Sequence, residues 1–350
     1  MSQKPTEHNV ALYTKYRPQK FAEVLGQEHI TETLKESIKT GKIAHAYLFT
    51  GSRGTGKTSI ARIFAREIGT TDRDLYEIDA ASNNGVEEIR ALKESINLLP
   101  FDSKYKVYIF DEVHMLSKSA FNALLKTLEE PPAYAIFILA TTEAHKIPET
   151  VLSRCEAYNF KTPNRAVLKK MIIDTAKKEG FVLEGAVAEL VAVLGDGSFR
   201  DAHTILQKLL RVSADKKITL AEAEKVTGSP KNVLINDILE AMLSGDLERG
   251  LSAIKIATDE NLDHKVLYKL LLEKYRNLLL IKVAPAKKSL YEESASEDDI
   301  VWFNELVAKY GEKIDSLKLV KLLGVGVEMS RSYLPFLPLE LLLIDVVGKK

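Results

Sequence analysis

The fold turns on residues 46–65, AYLFTGSRGTGKTSIARIFA. A short apolar run (46–50) enters a glycine-rich turn, and a helical pattern follows at once. Gly51 to Thr58 fits G-x-x-x-x-G-K-[ST], and a strand before with a helix behind is the context that pattern requires. The chemistry is that of a phosphate cradle. Glycines let the backbone pass close to phosphate oxygens, and the amides of about Gly54 to Ser59 stand at the positive end of a helix. Gly51, Arg53, Gly54, Thr55, Gly56, Lys57, Thr58 and Ser59 are the expected nucleotide-binding residues. Lys57 is placed to reach the β- and γ-phosphates, and the Thr58 hydroxyl to ligate Mg²⁺.

Outward from this stretch, LYEID (75–79), KVYIF (106–110) and AIFILATT (135–142) are further apolar runs, with helical patterns between them. Strands that read as continuous apolar runs and alternate with helices predict a parallel sheet covered on both faces. In SKSAFNALLKTLEEPP (117–132), Phe121, Leu124, Leu125 and Leu128 keep helical spacing. Ser117 or Ser119 can cap this helix, and Pro131-Pro132 ends it. After FKTPN (160–164) no further strand is expected. Residues 165–227 read as helices stopped by Gly180, Gly195 and Gly228, and amphipathic helices continue beyond 229. Residues 287–299, KKSLYEESASEDD, read as an exposed loop.

KVYIFDEVH (106–114) sets Asp111 and Glu112 at a strand end. An aspartate there can hold Mg²⁺ with Thr58, and the glutamate can polarise an attacking water. His114 reads either as a base or switch residue or as an ordinary packed histidine. Thr141 and Thr142 end the next strand, where a hydroxyl could sense a γ-phosphate.

Composition sets the frame. The 350 residues suggest two or three domains, and the formal net charge of zero supports no bulk attraction to nucleic acid. One cysteine, Cys155, excludes an internal disulfide and a cysteine-cluster metal site. The first twenty residues lack the apolar core of a signal peptide, and no apolar run approaches membrane-spanning length. A cytoplasmic protein with no membrane partner is expected.

Six stretches stand in one order: KYRPQKFAEVLGQE (15–28), HAYLFTGSRGTGKTSIARIFA (45–65), DAASNNGVEEIR (79–90), KVYIFDEVHMLSKSAFNALLKTLEEPP (106–132), LATTEAHKIPETVLSRC (139–155) and GDGSFRDAHTILQ (195–207). Together they resemble the AAA+ clamp-loader ATPases, and within them the bacterial DNA polymerase III gamma/tau family. The resemblance covers about residues 10–210 and implies an α/β P-loop AAA+ domain (1–163), a small helical lid domain (164–228) and an all-α collar domain (229–350).

The resemblance also implies roles. Arg154 of SRC is an arginine finger acting in trans on a neighbour's ATP. Thr142 matches the sensor 1 position and Arg200 sensor 2. Arg17, Pro18, Val24 and Leu25 match the segment around adenine. ATP and Mg²⁺ are the implied cofactors. The implied partners are other subunits of a five-membered ring, a sliding clamp and primer–template DNA, with Met115–Asn122 and the loop before it facing the clamp. Two departures follow. The family's four-cysteine zinc module is absent between Ala65 and Asp79, so no zinc is expected. Asn83, Asn84 and Gly85 stand where some relatives carry basic residues, which leaves DNA contact to amides of a helix begun at Ser82, or to Arg90 and Lys93. Longer members carry further domains beyond the position of Lys350. Two other readings stay open: a DNA translocase or helicase-type motor, which DEVH (111–114) superficially suggests, and a structural subunit that binds ATP without turning it over.

Overall fold

A computed structural model of the chain describes residues 10–213, 215–291, 295, 297–329 and 331–347. The chain divides into two compact units, one built from residues up to 175 with 191–207, the other from 176–190 with 208 onward. The 164–228 stretch contributes to both.

The first unit is a five-stranded sheet. In chain order it comprises α1 (Leu12–Lys15), α2 (Glu28–Thr40), β1 (Ala46–Thr50), α3 (Lys57–Glu67), β2 (Leu75–Asp79), α4 (Val86–Ile96), β3 (Lys106–Asp111), α5 (Lys118–Glu129), β4 (Ala135–Thr141), α6 (Glu149–Leu152) and β5 (Glu156–Asn159). All strands are parallel, in the order β2-β3-β4-β1-β5. Alternation along each strand feeds two cores. Tyr47, Phe49 and Ile138 meet Ile30, Leu34, Ile60 and Phe64 on one face. Leu48, Tyr108, Phe110 and Leu139 meet Ile89, Phe121, Leu124 and Leu128 on the other. This is the helix-covered parallel sheet that the apolar runs predict.

Three local expectations change. β5 reads Glu-Ala-Tyr-Asn, and only Tyr158 is buried, so it carries no apolar run. It forms because β1 would otherwise leave backbone groups unpaired on that side. Ser117, not Ser119, caps α5, its hydroxyl accepting the Ala120 amide at 3.2 Å. α4 starts at Val86 behind Gly85, not at Ser82. The Asp79 carboxylate takes the Ala81 amide (2.9 Å) and the Ser82 hydroxyl (3.0 Å), which leaves Ser82 in a turn.

Beyond β5 follow α7 (Arg165–Lys178), β6 (Val182–Leu183), α8 (Gly185–Leu194), α9 (Phe199–Val212), β7 (Lys217–Ile218) and α10 (Leu220–Thr227). β6 and β7 pair in parallel over two residues, a ladder that the helical reading missed. Gly180 and Gly228 take left-handed φ as helix stops. After α8 that role falls to Asp196 and Gly197. Gly195 serves close packing instead: a Cβ there would lie 2.8 Å from the Ala202 Cβ.

The remaining helices are α11 (Asn232–Ser244), α12 (Leu247–Asp259), α13 (His264–Val283), α14 (Glu297–Tyr310), α15 (Ser316–Met329) and α16 (Leu337–Val347), packed on one core that includes Leu239, Leu271, Tyr275, Phe303 and Leu339. Of the expected loop at 287–299, residues 292–294 and 296 lie outside the described residues, and Glu297 already begins α14. Among the described residues no helix is long and apolar enough to cross a membrane.

Candidate active site

The strand order brings three strand ends together. β4 lies between β1 and β3, so the loop 51–56, Asp111–Glu112 and Thr141–Thr142 leave the sheet along one edge. In open parallel sheets this carboxyl edge is where ligands bind.

The phosphate loop is shaped by its glycines. Gly51, Gly54 and Gly56 have φ of 146°, 74° and 103°. Gly54 is also crowded, since a Cβ there would lie 2.0 Å from Ser198 Oγ. The loop is tied down from the same side: the Phe199 amide donates to the Gly54 carbonyl at 3.0 Å. Thr55 Oγ1 donates to the Ser52 carbonyl at 2.9 Å. Arg53 is exposed, while Thr58 and Ser59 are half-buried at the start of α3.

Lys57 is buried, and its Nζ donates to the carbonyls of Gly51 (2.8 Å) and Ser52 (2.9 Å). Burial pushes its proton affinity down, and the charges of Glu112 and Asp111 offset part of that. A buried ammonium with only neutral acceptors would gain from an anion in the loop. Thr58 Oγ1 donates to Asp111 Oδ2 at 2.9 Å. A hydroxyl and a carboxylate so close are oxygen donors of the kind Mg²⁺ takes, so the pair fits that ion.

Glu112 has φ of 49°, left-handed for a non-glycine residue. Such strain costs on the order of 1–3 kcal/mol and collects at functional sites. Its amide donates to Asp111 Oδ1 at 3.1 Å, and its Oε2 accepts from Thr142 Oγ1 at 3.0 Å. Thr142 therefore holds the glutamate that the sequence selects as water-polarising. His114 is a packed residue. Its Nδ1 is 2.9 Å from Thr141 Oγ1 and 3.4 Å from Glu112 Oε2, and its Nε2 lies 3.5 Å from Glu143 Oε1.

Arg200, in the first turn of α9, lies close enough to Lys57 and Arg17 for its charge to lower the proton affinity of both, and it stacks over Tyr13 at 5.7 Å. Arg17 is half-buried, and its proton affinity is lowered first by burial and then by Arg62. Arg62, missed in the sequence, pairs with Glu77 at 2.5 Å. Pro18, Val24 and Leu25 are half-buried on the segment before α2. Gln27, also missed, anchors that segment by donating to the Lys161 carbonyl at 2.6 Å and accepting the Lys161 amide at 3.1 Å. Gln27 and Arg62 lie inside the stretches 15–28 and 45–65, but their partners, Lys161 and Glu77, belong to other segments, so nothing local singles out either side chain.

Arg154 stands apart. Its hydrogen-bond acceptors are Thr150, Ser153 and Glu129, none of them in the phosphate loop or at the ends of β3 and β4. Burial pushes the neighbouring Cys155 thiol up to about 11, which disfavours the nucleophilic thiolate.

A family model described as DNA polymerase III, delta subunit, matches residues 26–84 and 70–164. The chain is 38% identical over 339 residues to the DNA polymerase III subunit tau of Bacillus subtilis (strain 168), covering 90% of this chain and 58% of that protein. It is 36% identical over 298 residues to the DNA polymerase III subunit gamma of Buchnera aphidicola subsp. Baizongia pistaciae (strain Bp), covering 79% of this chain and 80% of that one. The chain thus spans little more than half the length of the tau relative. Among solved structures, the RuvB Holliday junction branch migration motor of Thermotoga maritima shares the fold, with TM-score 0.53 at 22% identity over 65% of this chain and 79% of that one.

Proposed function

Since this chain belongs to the bacterial DNA polymerase III gamma/tau family, we propose that it is an ATPase subunit of the replicative clamp loader, using ATP binding and hydrolysis to place a sliding clamp on primed DNA. The observation that carries the reading is the convergence, on one sheet edge, of Lys57, the Thr58–Asp111 pair and the Glu112–Thr142 pair.

Each group has a distinct task. The loop amides and Lys57 bind the triphosphate, with Arg200 adding positive charge. Thr58 and Asp111 hold Mg²⁺, which when bound neutralises phosphate charge. Glu112 orients the attacking water once it leaves Thr142, so nucleotide contact at Thr142 would be coupled to release of the glutamate. Arg17, Pro18, Val24 and Leu25 surround the base. Arg154 serves a neighbour's nucleotide, which makes turnover depend on assembly. The three functional segments are 1–163, 164–228 and 229–350, acting in the cytoplasm. No zinc enters the reading.

Exposed apolar side chains support protein partners. Leu98, Leu99 and Phe101 are 65%, 75% and 73% exposed after α4, and Met115 is exposed nearer the nucleotide edge. Apolar surface of this kind marks contacts, and the sliding clamp is the partner proposed for it. In the second unit, Leu317, Val320, Leu323 and Val327 form an exposed stripe on α15, suited to neighbouring subunits of a five-membered ring. For primer–template DNA, the proposed contact is through the first-turn amides of α4, a turn that also carries Glu87 and Glu88; Arg90 on that helix pairs with Glu87 at 2.7 Å.

The testing experiment is nucleotide binding beside turnover. Lys57→Ala should abolish tight ATP binding, and Glu112→Gln should bind ATP without hydrolysing it. Retained micromolar affinity in the first variant, or parental turnover in the second, contradicts the assignment.

A further inference from the structure

We propose that Glu129 is a positioning residue for Arg154, fixing the guanidinium before it meets the nucleotide of a neighbouring subunit. The inference rests on the trans assignment of Arg154 and deepens it.

Glu129 is the last residue of α5, and Glu130 follows before Pro131. Two carboxylates at a helix C-terminus oppose the helix dipole, where a basic residue is locally favoured. Residues that break a local rule collect at functional sites. Here the break has a structural counterpart. Arg154 Nη2 donates to Glu129 Oε1 at 2.7 Å. Nη1 donates to the Thr150 carbonyl at 2.6 Å and to Ser153 Oγ at 3.1 Å. The guanidinium is braced from two elements, the end of α5 and the turn after α6.

A guanidinium carries five N–H donors in a rigid plane. These three bonds leave two donors for a phosphate and fix the plane that presents them. The Arg154 and Glu129 side chains are 32% and 48% exposed, so water screens the pair and it adds little to folding stability. Its value is orientation: a long, rotamer-rich side chain arrives already ordered, and ordering ahead of reaction lowers the barrier. Glutamine at 129 keeps an acceptor for Nη2, whereas alanine removes it.

The test is steady-state ATPase of the chain assembled with its ring partners, clamp and primed DNA. Glu129→Ala should lower kcat roughly 3- to 10-fold with the KM for ATP unchanged, and Glu129→Gln should restore most of the rate. In an Arg154→Ala background, Glu129→Ala should have no further effect, because it acts through the arginine. Melting temperatures of the variants should match the parent. An unchanged or raised kcat in Glu129→Ala, failure of glutamine to rescue, or the same fractional loss without Arg154 overturns the proposal. If Arg154→Ala itself turns over like the parent, the trans assignment falls and the positioning role with it. If Arg154→Ala is crippled while Glu129→Ala is parental, only the positioning role falls.

Discussion

Replacing Gly54 by alanine tests how the phosphate loop is held. Gly54 has φ of 74°, and a Cβ there would lie 2.0 Å from Ser198 Oγ and 2.9 Å from Ser198 Cβ. The left-handed backbone costs an L-residue about 1–2 kcal/mol, and overpacking adds about 1–3, so Gly54→Ala should destabilise the unit by about 2–5 kcal/mol. The two parts can be separated. Ser198→Gly removes both close contacts and leaves Ser198 Cα at 3.3 Å. It also removes a helix cap, since Ser198 Oγ accepts the Asp201 amide at 3.1 Å, but glycine at such a cap costs only a few tenths of a kcal/mol. The double variant should therefore recover the overpacking part and keep about 1–2 kcal/mol of backbone strain. Hydrogen exchange of β3 and β4 amides reads the opening of this unit. Gly54→Ala should speed it roughly 30-fold to several thousandfold, and the double variant should fall well below that. Parental exchange in Gly54→Ala, or a double variant no better than the single one, would refute the account of the loop.

Three further outcomes are expected. Asp74 is fully buried; burial pushes its carboxyl up, but the amides of Phe101, Asp102 and Ser103 and the Ser103 hydroxyl outweigh that and hold it below the usual range. Asp74→Ala should cost about 2–4 kcal/mol and speed exchange at 101–103, read by thermal melting and local exchange. Burial lowers the His203 pKa against the opposing pull of the Phe199 carbonyl, so the unfolded chain takes up a proton that the fold resists. Stability should then fall as pH drops below about 6.5 and level off below the folded pKa; denaturant midpoints of the parent against His203→Asn should show that slope shrinking. Thr142→Ala removes the hydroxyl proposed to contact the γ-phosphate as well as the donor to Glu112 Oε2, and loss of that phosphate contact should slow hydrolysis in single-turnover kinetics with little change in ATP affinity; parental or faster hydrolysis would show that Thr142 acts only by restraining Glu112.

What the sequence disclosed follows the range of the interactions. Strand β1, the loop and α3 are contiguous, and their pattern has one physical reading. Asp111 and Glu112 were legible because a strand end is a local feature. The contacts that complete the site join distant segments: Gly54 with Ser198, Glu112 with Thr142, and Glu129 with Arg154. No periodicity carries them, since they depend on strand order and on how α9 meets the loop. β5 was hidden for a related reason. Its residues are polar, and it is a strand only because β1 supplies a partner. Ser82 shows the converse failure, where a good capping residue was overruled because the Asp79 carboxylate takes its hydroxyl and the Ala81 amide into a turn.

If Arg154 serves a neighbour's nucleotide as proposed, ATP turnover is completed by assembly. The most direct measurement is steady-state ATPase of the purified chain, alone and then with ring partners, sliding clamp and primed DNA. Weak turnover alone and strong stimulation by clamp with primed DNA, lost in Arg154→Ala, are expected. Stimulation by any duplex or junction without regard to the clamp, or no turnover under any condition while ATP still binds, would contradict the proposal.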